Sequence, residues 1–252
     1  MRFDLLWRDG GQQLTTCFRW IAYDSFAVST LVCQRCSALS AELLKIDLSA
    51  PEPALVRYIA ESIRAGKVLG MPTDTFYGLA ADPVNLNAIE KIYEIKTRSR
   101  HKPLSLLIED EAQADDLARD IPMVFRRLAR QFWPGPLTMI VKASSRLPLR
   151  VTANTGNVAL RVPAAKIPIA IVRELGFPIT ATSASLQGAQ ECSTAECVRD
   201  QLGDRISLIV NGGHTECSLP TTIVDLSGEP DSWGILREGA IPSDDIGKIL
   251  WA

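Results

Sequence analysis

The chain predicts a layered α/β fold (α+β in its layering), with helices packed around a mixed β-sheet. Two observations carry this reading. From Ser49 onward, segments with helical apolar spacing alternate with short apolar runs of strand length, the pattern of layered α/β domains. Polar stretches rich in Gly, Pro and hydroxyl residues also sit at the ends of predicted strands, where such folds carry their sites.

The elements follow in order. Ser49 and Glu52 have capping-box spacing, Leu55, Ile59 and Ile63 recur every four residues, and Gly66 closes a first helix. Lys67 to Met71 reads as a strand running into PTDTFYGL. Leu86, Ile89, Ile92 and Tyr93 mark a second helix, which ends near a basic cluster. Pro103 to Ile108 reads as a buried strand. A helix over Pro122 to Phe132 stops at the stiff WPGP of Trp133 to Pro136. Strands are expected at Leu137–Lys142 and Val158–Val162, a helix at Ile167–Leu175, and one strand at Pro178–Thr182. Further strands follow at Ile206–Val210, Thr222–Leu226 and Gly234–Arg237, with a last helix at Ser243–Leu250.

The chain has 252 residues, 46% hydrophobic and 22% charged, with a formal charge of -2. This suits a sizeable globular core and excludes a whole-surface attraction to nucleic acid. No apolar run reaches the ~20 residues of a membrane helix. Asp4, Arg8 and Asp9 spoil a secretory signal, so a cytoplasmic protein is expected. The first 45 residues lack either periodicity and are assigned to an atypical N-terminal extension, with the domain over 46–252. One reading is that synthesis starts downstream of this segment. Cys33 and Cys36 form a C-x-x-C without a matching second pair. The six cysteines are therefore expected to be free thiols in a reducing cytosol, and no protein-held metal site is expected.

Six segments place chemistry. In PTDTFYGL (72–79), Asp74 and Gly78 suit a plain turn, which leaves Thr73, Thr75 and Tyr77 unexplained. In KTRSRHK (96–102), Lys96, Arg98, Arg100 and Lys102 repel one another unless an anion is near, and such cations clamp phosphates. FWPGPLT (132–138) fixes a loop shape ahead of Thr138. TATSASLQG (180–188) offers small hydroxyl residues at a strand end. Arg161 in LRVP lies inside an apolar strand and needs a partner, either an internal carboxylate or a substrate. Arg237 in LREGAI lies near the end of the last strand. The P-loop, the dinucleotide-binding glycine pattern and the G-x-S-x-G elbow are absent. Only His101 and His214 are available for a histidine triad or a metal site.

Taken together, PTDTFYGL, the K-x-R of Lys96 and Arg98 followed by Pro103–Leu104, WPGPLT (133–138), LRVP (160–163), TSAS (182–185), PTTIVDL (220–226) and LREGAI (236–241) resemble, in order, the motifs of the YrdC-like family, the threonylcarbamoyl-AMP synthases, in a single-domain form. The resemblance covers roughly residues 50 to 241. It implies a twisted mixed sheet flanked by helices around a deep cationic cavity. It implies a nucleotidyltransferase that joins L-threonine, bicarbonate and ATP into threonylcarbamoyl-AMP and pyrophosphate, with Mg²⁺ accompanying ATP. Transfer proteins would then carry the group to tRNA. On this reading Lys96 and Arg98 are catalytic and hold phosphates. Thr73, Tyr77, Thr138 and Arg161 bind L-threonine. Pro134, Ser183, Ser185, Thr222 and Arg237 join Lys96 and Arg98 around the nucleotide. The family pattern Ser-x-Asn is replaced here by Ser183-Ala184-Ser185, a shorter arm with fewer hydrogen-bonding groups. The alternative is a non-catalytic RNA-binding or ribosome-maturation protein with direct RNA contact through the same cavity.

Overall fold

The computed structural model describes residues 41–96, 103–228 and 232–250. Helices and strands alternate as expected, but the strands form two mixed sheets where one was expected. The first runs β1 (Glu42–Lys45), β9 (Leu208–Asn211), β2 (Leu69–Met71), β3 (Gly78–Ala80), β8 (Thr182–Ser183). The second runs β11 (Gly234–Arg237), β10 (Thr222–Asp225), β5 (Leu137–Lys142), β6 (Asn157–Arg161), β4 (Ser105–Leu107), β7 (Ile179–Thr180). The division has a local cause in the segment predicted as one strand, Pro178–Thr182. β7 pairs antiparallel with β4, whereas β8 pairs antiparallel with β3. The Thr180 N–H donates to Ala81 O (3.0 Å) and the next N–H, of Ala181, to Ser105 O (2.8 Å). The backbone thus serves both sheets within two residues.

β1 lies inside the segment assigned to the extension. It pairs parallel with β9, Glu42 opposite Leu208 and Lys45 opposite Asn211, so the domain's first strand stands upstream of the expected boundary. Residues 1–40 lie outside the described residues.

Helix α1 (Pro53–Arg64) starts with Pro at its first position, where the missing N–H costs nothing. The expected capping box does not form. Glu52 is the N-cap, and the N–H groups of Ser49 and Ala50 donate to Asp47 Oδ1 at 2.6 and 3.0 Å. A helix begun at Ala50 would drive the Pro53 ring into the Ser49 carbonyl. α1 buries Val56, Ile59, Ala60 and Ile63 in an apolar cluster shared with α5 (Lys166–Leu175). Arg64 also ties the two helices by donating to Glu174 O (2.7 Å). α5 ends at Gly176, whose φ of +75° is the left-handed closure that glycine adopts without a Cβ clash.

The larger cluster packs α2 (Leu86–Lys96) and α4 (Met123–Phe132) with the inner faces of both sheets. Phe125 meets Trp133 edge-to-face, ring centroids 5.3 Å apart. The last helix is α7 (Ser243–Leu250). Two helices were not anticipated, the short α3 (Ala114–Leu117) and α6 (Ala195–Leu202). α6 is capped by Thr194, whose Oγ1 accepts the Cys197 N–H (3.2 Å). Among the described residues no helix is long and apolar enough to cross a membrane.

Phe125 is fully buried. Its replacement by Ala should cost about 3–5 kcal/mol through lost burial and the cavity left behind. Urea unfolding measures this, and a loss below about 1 kcal/mol would show that the site collapses around the deletion.

Candidate functional site

A cavity of about 450 Å³ lies where the two sheets meet. Strand alternation decides what faces it. On β4, Ser105 and Leu107 line the cavity while Leu106 packs into the larger core. Around β10, Thr221 and Ile223 line it and Thr222 does not.

Arg161 is one of the cations that line the cavity. It stands at the end of β6 and is only 6% exposed. Its Nε donates to Gly135 O (3.0 Å) and its Nη1 to Thr75 Oγ1 (3.3 Å). Its Nη2 is ion-paired with Asp74 Oδ1. A guanidinium has five N–H donors in a planar fork. These partners take three, which leaves one N–H on each terminal nitrogen, the pair a carboxylate accepts two-pronged. Of the two alternatives for Arg161, the internal carboxylate is present, and the side chain also lines the cavity. Asp74 itself does not line the cavity, and its Oδ2 is buried without a hydrogen-bond partner among the described residues.

Lys96 enters from the last turn of α2 and is 6% exposed. Its Nζ donates to Ser183 O (2.8 Å), Ser183 Oγ (3.0 Å) and Ser185 O (2.5 Å). The ammonium therefore fixes the start of the 183–191 rim. Ser185 turns its hydroxyl to Ser183 Oγ (3.4 Å) and contributes its backbone carbonyl to Lys96.

Arg237 donates from Nε to Thr221 O (3.0 Å) and from Nη2 to Thr221 Oγ1 (2.8 Å). Thr138 Oγ1 donates to the same Thr221 hydroxyl (3.3 Å). Burial lowers the Arg237 pKa; Glu191 opposes this shift and Arg161 adds to it. Tyr77 donates its hydroxyl to Gly213 O (2.6 Å). Burial pushes its pKa up to about 12, a shift that the Gly212 and Gly213 backbone hydrogen bonds oppose and the Glu196 charge reinforces.

Of the residues named from sequence, Thr73, Tyr77, Lys96, Thr138, Arg161, Ser183, Ser185 and Arg237 line this one cavity. Two do not. Pro134 is exposed and lies outside the lining, and its loop acts instead through Gly135 O on Arg161. Thr222 is 0% exposed. Its hydroxyl donates to Ile241 O (2.6 Å) and accepts the N–H groups of Gly239 and Ile241 (both 3.0 Å), so it holds the LREGAI turn in place. Arg98 lies outside the described residues. Thr75, which the plain-turn reading leaves unexplained, also lines the cavity, and so do Thr221 and Glu191, which are not named from sequence. Thr221 adjoins Thr222 in a segment whose strand phase the sequence does not give. Nothing in the sequence pointed to Glu191. Among the described residues no group of three or more His, Cys, Asp or Glu is placed to hold a metal.

The cysteines also differ from expectation. Cys192 and Cys197 form a disulfide, Cα atoms 5.4 Å apart. The Thr194-capped turn into α6 folds the chain back and brings the two together. Cys217 is free.

The family described as "Telomere recombination", which takes in Sua5, YciO and YrdC proteins, matches residues 61–239. The chain is 35% identical to the threonylcarbamoyl-AMP synthase of Pyrococcus abyssi over 195 residues, covering 77% of this chain and 57% of that protein. It is 38% identical to the Bacillus subtilis enzyme of the same name over 205 residues, covering 81% of this chain and 58% of that protein. This chain thus spans a little over half the length of these two relatives. It superimposes on the crystal structure of Pyrococcus abyssi Sua5 complexed with L-threonine with a TM-score of 0.78 at 33% identity, covering 82% of this chain and 60% of that one.

Two outcomes test the site's construction. Asp74→Ala strands the buried Arg161 charge and should cost about 3–5 kcal/mol in urea unfolding; adding Arg161→Ala should recover part of the loss. Tyr77 provides a pH signature. Its folded pKa of about 12 lies above its ordinary value of 10.0, so its contribution to stability is complete below pH 10 and falls as pH rises toward 12. Tyr77→Phe should remove that alkaline loss and the matching late step in phenolate absorbance.

Proposed function

We propose a function from one premise: this chain belongs to the Sua5–YciO–YrdC family. Within it, the chain is read as a threonylcarbamoyl-AMP synthase, a nucleotidyltransferase that makes threonylcarbamoyl-AMP and pyrophosphate from L-threonine, bicarbonate and ATP. The product serves threonylcarbamoyladenosine modification of tRNA in the cytoplasm, through separate transfer proteins.

The observation that carries this reading is Arg161, held through all three of its nitrogens by Gly135, Thr75 and Asp74 while it lines a cavity with two further cations. That arrangement suits an amino-acid carboxylate beside a polyphosphate. Arg161 would take the threonine carboxylate, with Thr73, Tyr77 and Thr138 shaping the pocket around the substrate. Threonine's amine adds to carbon dioxide derived from bicarbonate and loses a proton, giving a carbamate. A carbamate oxygen then attacks the α-phosphorus of ATP and pyrophosphate leaves. In such transfers the protein's work is to position the reactants and to offset charge.

Lys96, with Arg98 two positions later in the sequence, would offset the triphosphate charge. Ser183, Ser185 and Arg237 would line the nucleotide side. Glu191 is the one carboxylate among the lining residues, and one carboxylate plus phosphate oxygens is a common setting for Mg²⁺. There Mg²⁺ would offset phosphate charge when bound with ATP. The names of the relatives support the synthase reading, and no feature of the cavity favours the RNA-binding alternative.

Pyrophosphate release by the purified protein, with ATP, Mg²⁺ and bicarbonate, should depend on L-threonine and be much weaker with L-serine. Release indifferent to the amino acid would sink the assignment. Arg161→Ala should raise the KM for threonine on the order of tenfold or more, the scale of a lost charge-assisted hydrogen bond. Lys96→Ala should act mainly on ATP.

A further inference from the structure

The nucleotide-side rim of the cavity is tied to α6 at two places. The cavity-lining residues Leu186 to Ala189 and Glu191 belong to this rim. Gln201, on α6, makes the first tie. Its Oε1 accepts the Leu186 N–H (2.9 Å) and its Nε2 donates to Gln190 O (3.1 Å). The Cys192–Cys197 disulfide makes the second, joining the end of the rim to the first turn of the same helix. From Cys192 the connection reaches the strand beside the rim, because its carbonyl accepts the N–H of the cavity-lining Tyr77 (2.8 Å), which precedes β3. Gln201 Nε2 also lies 3.5 Å from Cys197 Sγ, so the two ties touch.

We infer that the Cys192–Cys197 disulfide is a redox-sensitive clamp on the rim, which holds the nucleotide side of the cavity in shape when oxidised and loosens it when reduced. The loop it closes is short, with a sequence separation of 5. A short loop restrains the unfolded chain less than a long one, and this one restrains a segment that lines the site.

The two sulfurs are unequally placed. Cys192 is fully buried and Cys197 is half-buried, so a dithiol reductant meets Cys197 first. Its thiolate forms a mixed disulfide with Cys197 Sγ, and Cys192 leaves as a thiolate that takes up a proton. The reductant's second thiol then attacks its own sulfur in the mixed disulfide and frees Cys197 as a thiol. The protein gains two electrons and two protons, and the reductant departs as a cyclic disulfide. In a reducing compartment such a bond is a response to oxidation rather than a permanent staple.

The inference about affinity rests on the reading that the cavity takes ATP; the clamp itself does not. The experiment therefore measures both on the full chain, oxidised and then reduced with dithiothreitol. Peptide mapping reports the Cys192–Cys197 link, amide hydrogen exchange reports the rim, and calorimetry reports ATP binding. Reduction should speed exchange across residues 186–192. If it leaves the rim in its binding geometry about a tenth of the time, ATP affinity falls about tenfold.

Cys192→Ser with Cys197→Ser should match the reduced protein and ignore dithiothreitol. Gln201→Ala should loosen the same rim yet stay sensitive to reductant. Absence of the link in protein purified without reductant overturns the inference. So does rim exchange indifferent to reduction, or faster exchange with unchanged ATP affinity. If ATP binds in neither state while exchange still responds, the clamp stands and the synthase reading fails.

Discussion

The architecture of the site depends on one buried positive charge. A guanidinium taken out of water is tolerable only where its charge is offset and its donors are matched. Arg161 meets both conditions by drawing in two loops that are remote in sequence. The 72–77 loop between β2 and β3 supplies Asp74 and Thr75, and the Pro-rich loop ahead of β5 supplies the Gly135 carbonyl. The stiff WPGP segment does not meet the cavity through Pro134. Its shape matters because it presents a carbonyl to a charged side chain on a neighbouring strand. The motif residues that look separate along the chain are thus parts of one charge-compensation problem.

A second cation organises the other side. Lys96 sits in the final turn of α2, where a positive charge is favoured by the helix dipole, and gathers acceptors from residues 183 and 185. The carbonyl of Ser185, rather than its side chain, makes the contact with Lys96, and a carbonyl is present whatever the residue. A substitution at Ser185 would therefore alter the hydrogen-bonding reach into the cavity without dismantling the lysine's support.

Much of this was legible in the sequence, because apolar spacing reports burial directly. The faces of α1, α2 and α5 and the strands β5 and β6 follow the expected pattern. α6 was hidden because its apolar residues, Ala195, Val198 and Leu202, are few among charged neighbours. The two-sheet split was hidden because two-residue strands carry no readable period. The Thr221–Thr222 pair shows the same limit: alternation says that one faces the cavity but not which. Asp74 looked like a turn residue because its partner lies 87 positions away, and no local pattern reports such a distance. The pairing of Cys192 with Cys197 depended on a helix start that the sequence did not announce.

β1 lends an importance to the upstream chain that its sequence does not advertise. It covers one side of β9, whose residues Leu208, Ile209 and Val210 are buried and carry no charge. A shortened chain that begins after Lys45 would keep every cavity-lining residue described above. It would also leave β9 as a bare apolar edge with unpaired backbone groups, the feature by which β proteins adhere to one another. Solubility and cavity would then part company: the cavity-lining residues would all be present in a protein prone to precipitate.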